Sequence, residues 1–214
     1  SWIPQPDEVG NEVRGFHILD HRGEVHGGWG ATAVLFDLPT PLKVPIGAFF
    51  QGNRHLIAPL FERVSALAGK GREPVYDLHA GVGFLAAAAL SNGARDAYLV
   101  EPHRVAARAA ALNLPNATVA VGRTAEEFVD SFSAPPRDAL VITDPPRTGL
   151  SKSLRSGLAH WRPQRILMLG CDPATWARDA GFLGEHGYRP TVIEIFDLFP
   201  STHHLEILAL MERA

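Results

Sequence analysis

Cysteine is nearly absent from this chain: Cys171 is its single thiol among 214 residues. A lone cysteine excludes an internal disulfide, an all-cysteine zinc site and a cysteine-ligated iron–sulfur cluster. We therefore expect no metal and no iron–sulfur cluster in this chain. What remains open is whether the thiol has a chemical role or is a small apolar residue in a core.

Long apolar runs and a strong excess of one charge are also absent. No run approaches the roughly 18 apolar residues of a membrane-spanning helix, and residues 1–30 carry charges and glycines without a signal-peptide pattern. The net charge of −3 disfavours a strongly basic nucleic-acid binder but allows a local basic patch. We expect a cytoplasmic protein with no membrane contact, and the sequence identifies no protein partner. Because the opening "SWIPQPDEVG" resembles a linker, a fragment of a longer protein is one interpretation.

The chain divides by pattern into two regions. Residues 1–48 contain short β-rich bursts separated by Gly, Asp and Pro, which predicts hairpins in a small β-rich segment, either a linker or the remnant of a central domain. In residues 49–214, apolar runs alternate with stretches of helical spacing. We predict a second domain there.

The apolar runs of the second region indicate the kind of sheet. Runs such as "ALVIT" and "RILML" show no polar alternation, as expected for strands covered on both faces. Alternating strands and helices predict an α/β fold with a Rossmann-like, mostly parallel, doubly wound sheet. The last two strands are joined only by "PSTHH", too short for a helical crossover, so we expect an antiparallel strand near one end of the sheet.

A glycine-rich turn follows the first strand of that sheet. "YDLHAGVGF" contains Asp77, Gly81 and Gly83, and Glu101 ends the next strand about twenty residues later. Such glycines allow close approach of a ligand, and such an acid can accept hydrogen bonds from the hydroxyls of an adenosine ribose. Ala86 replaces the third glycine of a nicotinamide-binding turn, whereas S-adenosylmethionine has no pyrophosphate and needs fewer glycines. The alternative is a tight turn with a solvent-facing acid.

Two prolines follow the acid at the end of a later strand. In "VITDPPRTGL", Pro145 and Pro146 stiffen the chain and hold Asp144 and Arg147 at the edge where open α/β sheets bind ligands. The alternative is that the prolines only end the strand. Aminomethyltransferases use a similar motif followed by an aromatic residue, so Arg147 disfavours stacking on a flipped adenine or cytosine.

Cys171 and Glu206 stand at unusual places. Cys171 lies at a strand-to-helix turn, where Asp172 or Thr175 can cap the helix and the helix N-terminus favours a thiolate. Glu206 interrupts the apolar run "HHLEILAL". Burial there would raise its pKa, which suits a base that takes a proton near neutral pH. The alternative for Glu206 is an edge strand with its carboxylate in water.

The motifs together resemble a known family. "FFQGN", "DLHAGVGF", "VEPHRVAARAAALN", "DPPRTGL", "GCDPATWARD" and "DLFPSTHHLEILAL" occur in the order found in S-adenosylmethionine-dependent RNA uracil-C5 (5-methyluridine) methyltransferases. The resemblance runs from about residue 45 to residue 212. It implies a class I methyltransferase fold, S-adenosylmethionine as cofactor and rRNA or tRNA as substrate.

The resemblance also implies roles for individual residues. Cys171 matches the nucleophile that attacks C6 of uracil, and Glu206 the base that removes the C5 proton. The implied cofactor contacts are Gln51, His79, Phe84, Glu101 and Asp144, to which the glycine turn adds Asp77, Gly81 and Gly83. Arg147 is a candidate to stabilise the enolate, and His203 and His204 either contact the base or finish a turn. Gly170-Cys171-Asp172 stands where the family usually has Ser-Cys-Asn.

Two alternatives to this function stay open. One is a related methyltransferase acting on another base position or on a small molecule; the other is an inactive paralogue that binds cofactor or RNA. A cluster of basic residues bears on RNA binding, because it can face phosphates or form a solvated helix face. Its members are Arg147, Lys152, Arg155, Arg162 and Arg165.

Overall fold

A computed structural model describes residues 5, 15–20, 25–69, 73–94, 96–202 and 205–214. Its strands are β1 (Gly15–Leu19), β2 (Val25–Gly30), β3 (Ala33–Phe36), β4 (Leu42–Pro45), β5 (Val75–Asp77), β6 (Ala97–Glu101), β7 (Thr118–Val121), β8 (Leu140–Thr143), β9 (Arg165–Gly170), β10 (Tyr188–Phe196) and β11 (Glu206–Arg213). Its helices are α1 (Ile57–Ala68), α2 (Phe84–Ser91), α3 (Arg104–Asn113), α4 (Ala125–Ser131), α5 (Lys152–Trp161) and α6 (Pro173–Glu185).

Seven of these strands form the central sheet, in the order β10-β11-β9-β8-β5-β6-β7. The five strands from β9 to β7 are parallel. β11 is antiparallel to both of its neighbours, β9 and β10. The predicted α/β fold, with a mostly parallel sheet and an antiparallel strand near one end, is confirmed.

Side chains alternate between the two faces of this sheet and form two cores. In β8, Leu140 and Ile142 pack with α1 and α2, while Val141 packs with α4, α5 and α6. In β9, Leu167 packs on the first face and Ile166 on the second in the same way. Both faces are therefore covered, which explains the uninterrupted apolar runs. Burial of each such side chain contributes about 1.5–3 kcal/mol to the stability of the fold.

Because of the directions of the strands, the acidic and thiol groups lie at one edge of the sheet. Asp77, Glu101, Asp144 and Cys171 each end or follow a parallel strand, so they share the carboxyl edge. β11 runs the other way, and for this reason its first residue, Glu206, lies at that same edge. An antiparallel neighbour is thus what brings the last glutamate to the site.

The N-terminal region forms two antiparallel pairs, β1 with β2 and β3 with β4. β4 is attached to the main body: the Lys43 amide donates to Asn113 Oδ1 at 2.9 Å, and Asn113 Nδ2 donates back to the Lys43 carbonyl at 3.1 Å. Leu42 is fully buried in the larger core. The hairpins agree with the predicted β-rich segment, and the division into domains at residues 48 and 49 stays a prediction.

Among the residues that the structure describes, no helix combines the length and apolarity needed to cross a bilayer.

Candidate functional site

A cavity of about 620 Å³ opens at the carboxyl edge of the central sheet. Its volume lies within the range of small-molecule sites, about 300–1,000 Å³. Most of the residues singled out in the sequence line it: Gln51, His79, Gly81, Phe84, Glu101, Asp144, Arg147, Cys171 and Glu206. The fold therefore brings together side chains from both halves of the α/β region.

Asp77 and Gly83 do not line this cavity, although direct cofactor contact was expected of both. Asp77 is completely buried beneath the turn, and its Oδ1 accepts a hydrogen bond from the His79 amide at 3.3 Å. Gly83 is the N-cap of α2 and has a left-handed φ of 91°, and a Cβ there would lie 3.0 Å from Leu114 Cδ1. Both residues therefore contribute to the conformation of the turn and not to the surface of the cavity. His203 and His204 lie outside the described residues.

Glu101 joins the loops that follow β5 and β6. Its Oε2 accepts from the Gly81 amide at 2.8 Å, and its Oε1 accepts from the His103 amide at 2.7 Å. Gly81 has φ 54°, and a Cβ added there would meet no atom within 4 Å. The glycine thus leaves open space beside a fixed carboxylate, and this carboxylate still has lone pairs that face the cavity.

Two cavity-lining side chains present polar atoms that need a partner. Gln51 Oε1 and His79 Nδ1 are buried and make no hydrogen bond within the described part of the chain. Burial lowers the pKa of His79 to about 4, so its imidazole is neutral at pH 7. Buried polar atoms without a partner are costly, and a ligand in the cavity would supply one.

Cys171 and Glu206 lie at the same end of two neighbouring strands. Ile207 in β11 pairs with Gly170 in β9 as the last pair of this antiparallel ladder; Glu206 directly precedes Ile207, and Cys171 directly follows Gly170. Both side chains line the cavity. The alternative of an edge strand with a solvated carboxylate is wrong, because β11 lies inside the sheet and Glu206 is 2% exposed.

Burial and neighbouring acids oppose ionisation in this part of the cavity. Burial raises the pKa of Asp144 and of Glu206, and the charge of Asp144 raises the latter further. Burial, then the charges of Glu206 and Asp144, raise the pKa of the Cys171 thiol. The expectation of a favoured thiolate is therefore wrong in its net direction, because burial and two acids raise the pKa of the thiol.

Asp172 caps α6. Its Oδ1 accepts from the Thr175 amide at 2.8 Å, and Pro173 occupies the first turn. Such a cap satisfies a helix amide that has no partner within the helix. The predicted cap is confirmed, and it keeps the Asp172 carboxylate turned to the helix that begins beside the thiol.

The predicted basic cluster does not form one surface. Arg155 Nη1 is bound to Asp179 Oδ1 at 3.0 Å. Arg165, at the start of β9, is bound to Glu73 Oε1 at 2.9 Å, on the edge of the sheet away from the cavity. Arg147 is the member of the set that lines the cavity.

One wall of the cavity is apolar, and the sequence analysis did not predict it. Phe49, Phe50 and Phe199 line the cavity, and Phe50 packs edge-on against Phe84 with ring centroids 5.4 Å apart. Phe49 remains 72% exposed. The two adjacent aromatic residues in "FFQGN" were a signal, but the wall also needs residues from distant segments.

Within residues 5, 15–20, 25–69, 73–94, 96–202 and 205–214, no group of three or more His, Cys, Asp and Glu side chains is arranged to hold a metal ion.

Comparison with known proteins indicates a protein family for this chain. The family model described as tRNA (Uracil-5-)-methyltransferase matches residues 122–214. An uncharacterized RNA methyltransferase of Clostridium acetobutylicum is 34% identical over 172 residues, covering 78% of this chain and 37% of the relative. The tRNA (uracil(54)-C(5))-methyltransferase of Schizosaccharomyces pombe is 33% identical over 213 residues, covering 92% of this chain and 38% of that protein.

A solved structure supports the fold. The tRNA (uracil-54, C5)-methyltransferase of Pyrococcus abyssi, crystallised with S-adenosyl-L-homocysteine, superposes with a TM-score of 0.78 at 24% identity and covers 97% of this chain and 53% of that chain. The chain spans less than two fifths of the length of the two curated relatives above.

Proposed function

Because this chain belongs to the family of RNA uracil-C5 methyltransferases, we propose that it transfers a methyl group from S-adenosylmethionine to C5 of a uridine in RNA. The observation that carries the proposal is that Cys171 and Glu206, at adjoining ends of β9 and β11, both line the cavity. The names of the relatives favour a tRNA substrate. Such a role agrees with the cytoplasmic location expected from the sequence.

The residues on the β5 and β6 side of the cavity fit S-adenosylmethionine. Glu101 can accept from ribose hydroxyls with its remaining lone pairs, while the open space at Gly81 admits the ligand close to the backbone. Gln51 Oε1 is a buried acceptor that a polar group of the ligand would satisfy. When bound, S-adenosylmethionine supplies an electrophilic methyl group.

The proposed role of Cys171 follows from the electronics of uracil, whose C5 is a poor nucleophile. In the proposed step the sulfur bonds to C6, and the electron pair of the C5–C6 double bond moves onto C5 and the O4 enolate. C5 would then attack the methyl group, whose bond to the sulfonium sulfur breaks and leaves its electron pair on S-adenosylhomocysteine. Because the thiol has a raised pKa, its proton must pass to solvent as the sulfur attacks, and the released sulfur takes a proton back from solvent.

Glu206 is the proposed base for the second half of the reaction. The methylated adduct still carries a proton on C5, and the Glu206 carboxylate takes it. The C5–H electron pair restores the double bond, and the C6–S bond breaks to release Cys171. A carboxylate whose pKa is raised by burial is a stronger base than one in water, which suits this step.

Arg147 is the proposed partner of the substrate. It lines the same cavity and is exposed at its mouth. A guanidinium there can stabilise the enolate oxygen or hold an RNA phosphate. In either case the uridine must leave its stack to reach the sulfur, as in other enzymes that modify a base.

The proposal is tested with tRNA that contains 5-fluorouridine. Fluorine on C5 cannot be removed as a proton, so a methylated adduct on Cys171 should accumulate and survive denaturation. Intact-mass measurement should find it in the unaltered chain with S-adenosylmethionine and not in Cys171→Ser.

Release of tritium from 5-tritiated uridine in ordinary tRNA gives an independent measurement. Methyl transfer that persists in Cys171→Ala would support a different methylation chemistry. Cofactor binding without any adduct or tritium release would support an inactive paralogue. Both results contradict the proposal.

A further inference from the structure

Asp179 is a buried acid outside the cavity. It is 1% exposed and lies in α6, the helix that begins two residues after Cys171. Its Oδ1 accepts from Arg155 Nη1 at 3.0 Å and from Arg178 Nε at 2.9 Å, and its Oδ2 accepts from the Leu150 amide at 2.7 Å. The carboxylate therefore ties α5, α6 and the loop after β8 together.

The loop tied in this way is the one that carries Arg147. Arg178 Nη2 donates to the carbonyls of Thr148 at 3.0 Å and Leu150 at 3.2 Å. Thr175 Oγ1 donates to the Arg147 carbonyl at 3.1 Å. Residues 147, 148 and 150 are thus all held by side chains of α6.

Gly149 shows how closely the loop approaches the helix. A Cβ at this position would lie 2.4 Å from Asp179 Oδ2 and 2.6 Å from Arg178 Nη2, and φ is +72°. Contacts below 3.0 Å leave no space for a side chain. The backbone of the loop at Gly149 therefore packs directly against the side chains of Asp179 and Arg178.

The contact between this loop and α6 connects two groups of the site. Cys171 lies at the N-terminal end of α6, and Arg147 lies on the loop bound to the first two turns of the same helix. Both side chains line the cavity. A shift of the loop relative to α6 would move Arg147 relative to the sulfur.

We propose that Asp179 is a positioning residue that fixes the Arg147 loop against the helix of Cys171 and so sets the guanidinium beside the reacting base. The proposal rests on the proposed function and deepens it. Asp179 touches neither the cavity nor the reacting atoms, so its effect on the reaction passes through Arg147.

The test compares Asp179→Asn in the full chain with a matched control, Glu73→Gln. Glu73 also forms a half-buried ion pair, with Arg165, but on the opposite edge of the sheet. For Asp179→Asn we expect kcat for tRNA methylation to fall about tenfold to a hundredfold, the cost of a small misplacement. The Kd for S-adenosylhomocysteine should stay within about twofold, because the β5 and β6 side keeps its contacts.

A double-mutant cycle distinguishes positioning from general destabilisation. If Asp179 acts through Arg147, Asp179→Asn should cost little more in an Arg147→Gln background. An equal fold-loss of kcat in both backgrounds would overturn the proposal. An equal loss in Glu73→Gln would overturn it too, since the effect would then be one of stability.

The single thiol gives a readout that needs no RNA. The charge of Arg147 lowers the pKa of Cys171, so displacement of the loop in Asp179→Asn should move alkylation of Cys171 by iodoacetamide to higher pH. An unchanged alkylation profile would contradict the proposal. If the unaltered chain methylates no tRNA, the proposed function fails, and the alkylation profile alone then decides the positioning role.

Discussion

Two glutamates at strand ends of the same sheet have opposite surroundings. Glu101 has both carboxylate oxygens bonded to backbone amides, at 2.8 and 2.7 Å. Glu206 is 2% exposed, and its Oε1 makes no hydrogen bond within the described residues. Asp144 beside Glu206 raises its pKa further.

The difference separates two roles for the same side chain. An acid that accepts hydrogen bonds from two backbone amides is held in one geometry, as a cofactor-binding carboxylate must be. An acid that is buried, unpaired and close to another acid gains stability by taking a proton. By the hydrogen bonding of these two glutamates, the cavity has a satisfied half around Glu101 and a frustrated half around Glu206, and we assign the proton transfer to the frustrated half.

The largest expected effect is a loss of kcat when Glu206, in the frustrated half of the cavity, is replaced. Glu206→Gln removes the proposed base, and we expect kcat to fall about 10²- to 10⁴-fold, the usual contribution of a general base. Because only the last step is blocked, a covalent adduct with ordinary uridine-containing tRNA should accumulate. Denaturing electrophoresis with Cys171→Ser as control would detect it. A normal kcat would remove Glu206 from the mechanism.

The second effect concerns the cofactor and the satisfied half. In Glu101→Gln one oxygen becomes an NH₂ group that cannot accept from a backbone amide. We expect the Kd for S-adenosylhomocysteine to rise about tenfold or more, since a hydrogen bond to a charged group contributes roughly 1.5–3 kcal/mol. Calorimetric titration measures this directly, and Glu206→Gln should change the same Kd much less. Equal losses of affinity in both variants would erase the distinction between the halves.

The third expected effect is on thermal stability, which should change in opposite directions in Glu206→Gln and in Glu101→Gln. The pKa of Glu206 is raised above its ordinary 4.5 in the folded chain, so the folded state holds its proton longer than the unfolded state. Stability then falls as the pH rises above the ordinary value, and it keeps falling until Glu206 ionises in the folded protein.

Glu206→Gln should therefore raise Tm at pH 8 by about 2–4 °C or more, the equivalent of 1 kcal/mol or more in a domain of this size. It should have little effect at pH 4, where both states are protonated. Glu101→Gln, which loses hydrogen bonds, should lower Tm at pH 8. Calorimetric scans at the two pH values check this, and a fall of Tm in both variants would contradict the comparison.

The smallest effect is on the thiol. Glu206 is one of the causes that raise the pKa of Cys171. Glu206→Gln should therefore let iodoacetamide react at lower pH, and the rate at pH 8 should rise by less than about tenfold because burial remains the larger cause. Mass spectrometry of the single cysteine gives the rate, with Glu101→Gln as the unaffected control.

Much of the fold was predictable because its signals are local. "ALVIT" and "RILML" carry no polar alternation, and the structure places them in the middle of a sheet covered on both faces. Asp172 before Pro173 predicted a capped helix, and α6 begins there. Such features depend on neighbours along the chain, which the sequence displays.

Other features depended on neighbours in space. Arg155 and Arg165 lie close to Arg147 in sequence, but their partners, Asp179 and Glu73, take them away from a common surface. The thiol was expected beside a favourable helix end, but burial and two acids from other strands raise its pKa. Asp77 and Gly83 belong to the turn motif but do not line the cavity.

The sequence by itself determined the α/β alternation, the glycine turn before α2 and the place of the thiol at a strand exit, because each arises from residues adjacent in the chain. Only the tertiary structure decided that β11 lies between β9 and β10, which buries Glu206 and brings it to the same cavity as Cys171. Which strands become neighbours is set by packing of the whole core, and electrostatic effects between side chains follow distance in space.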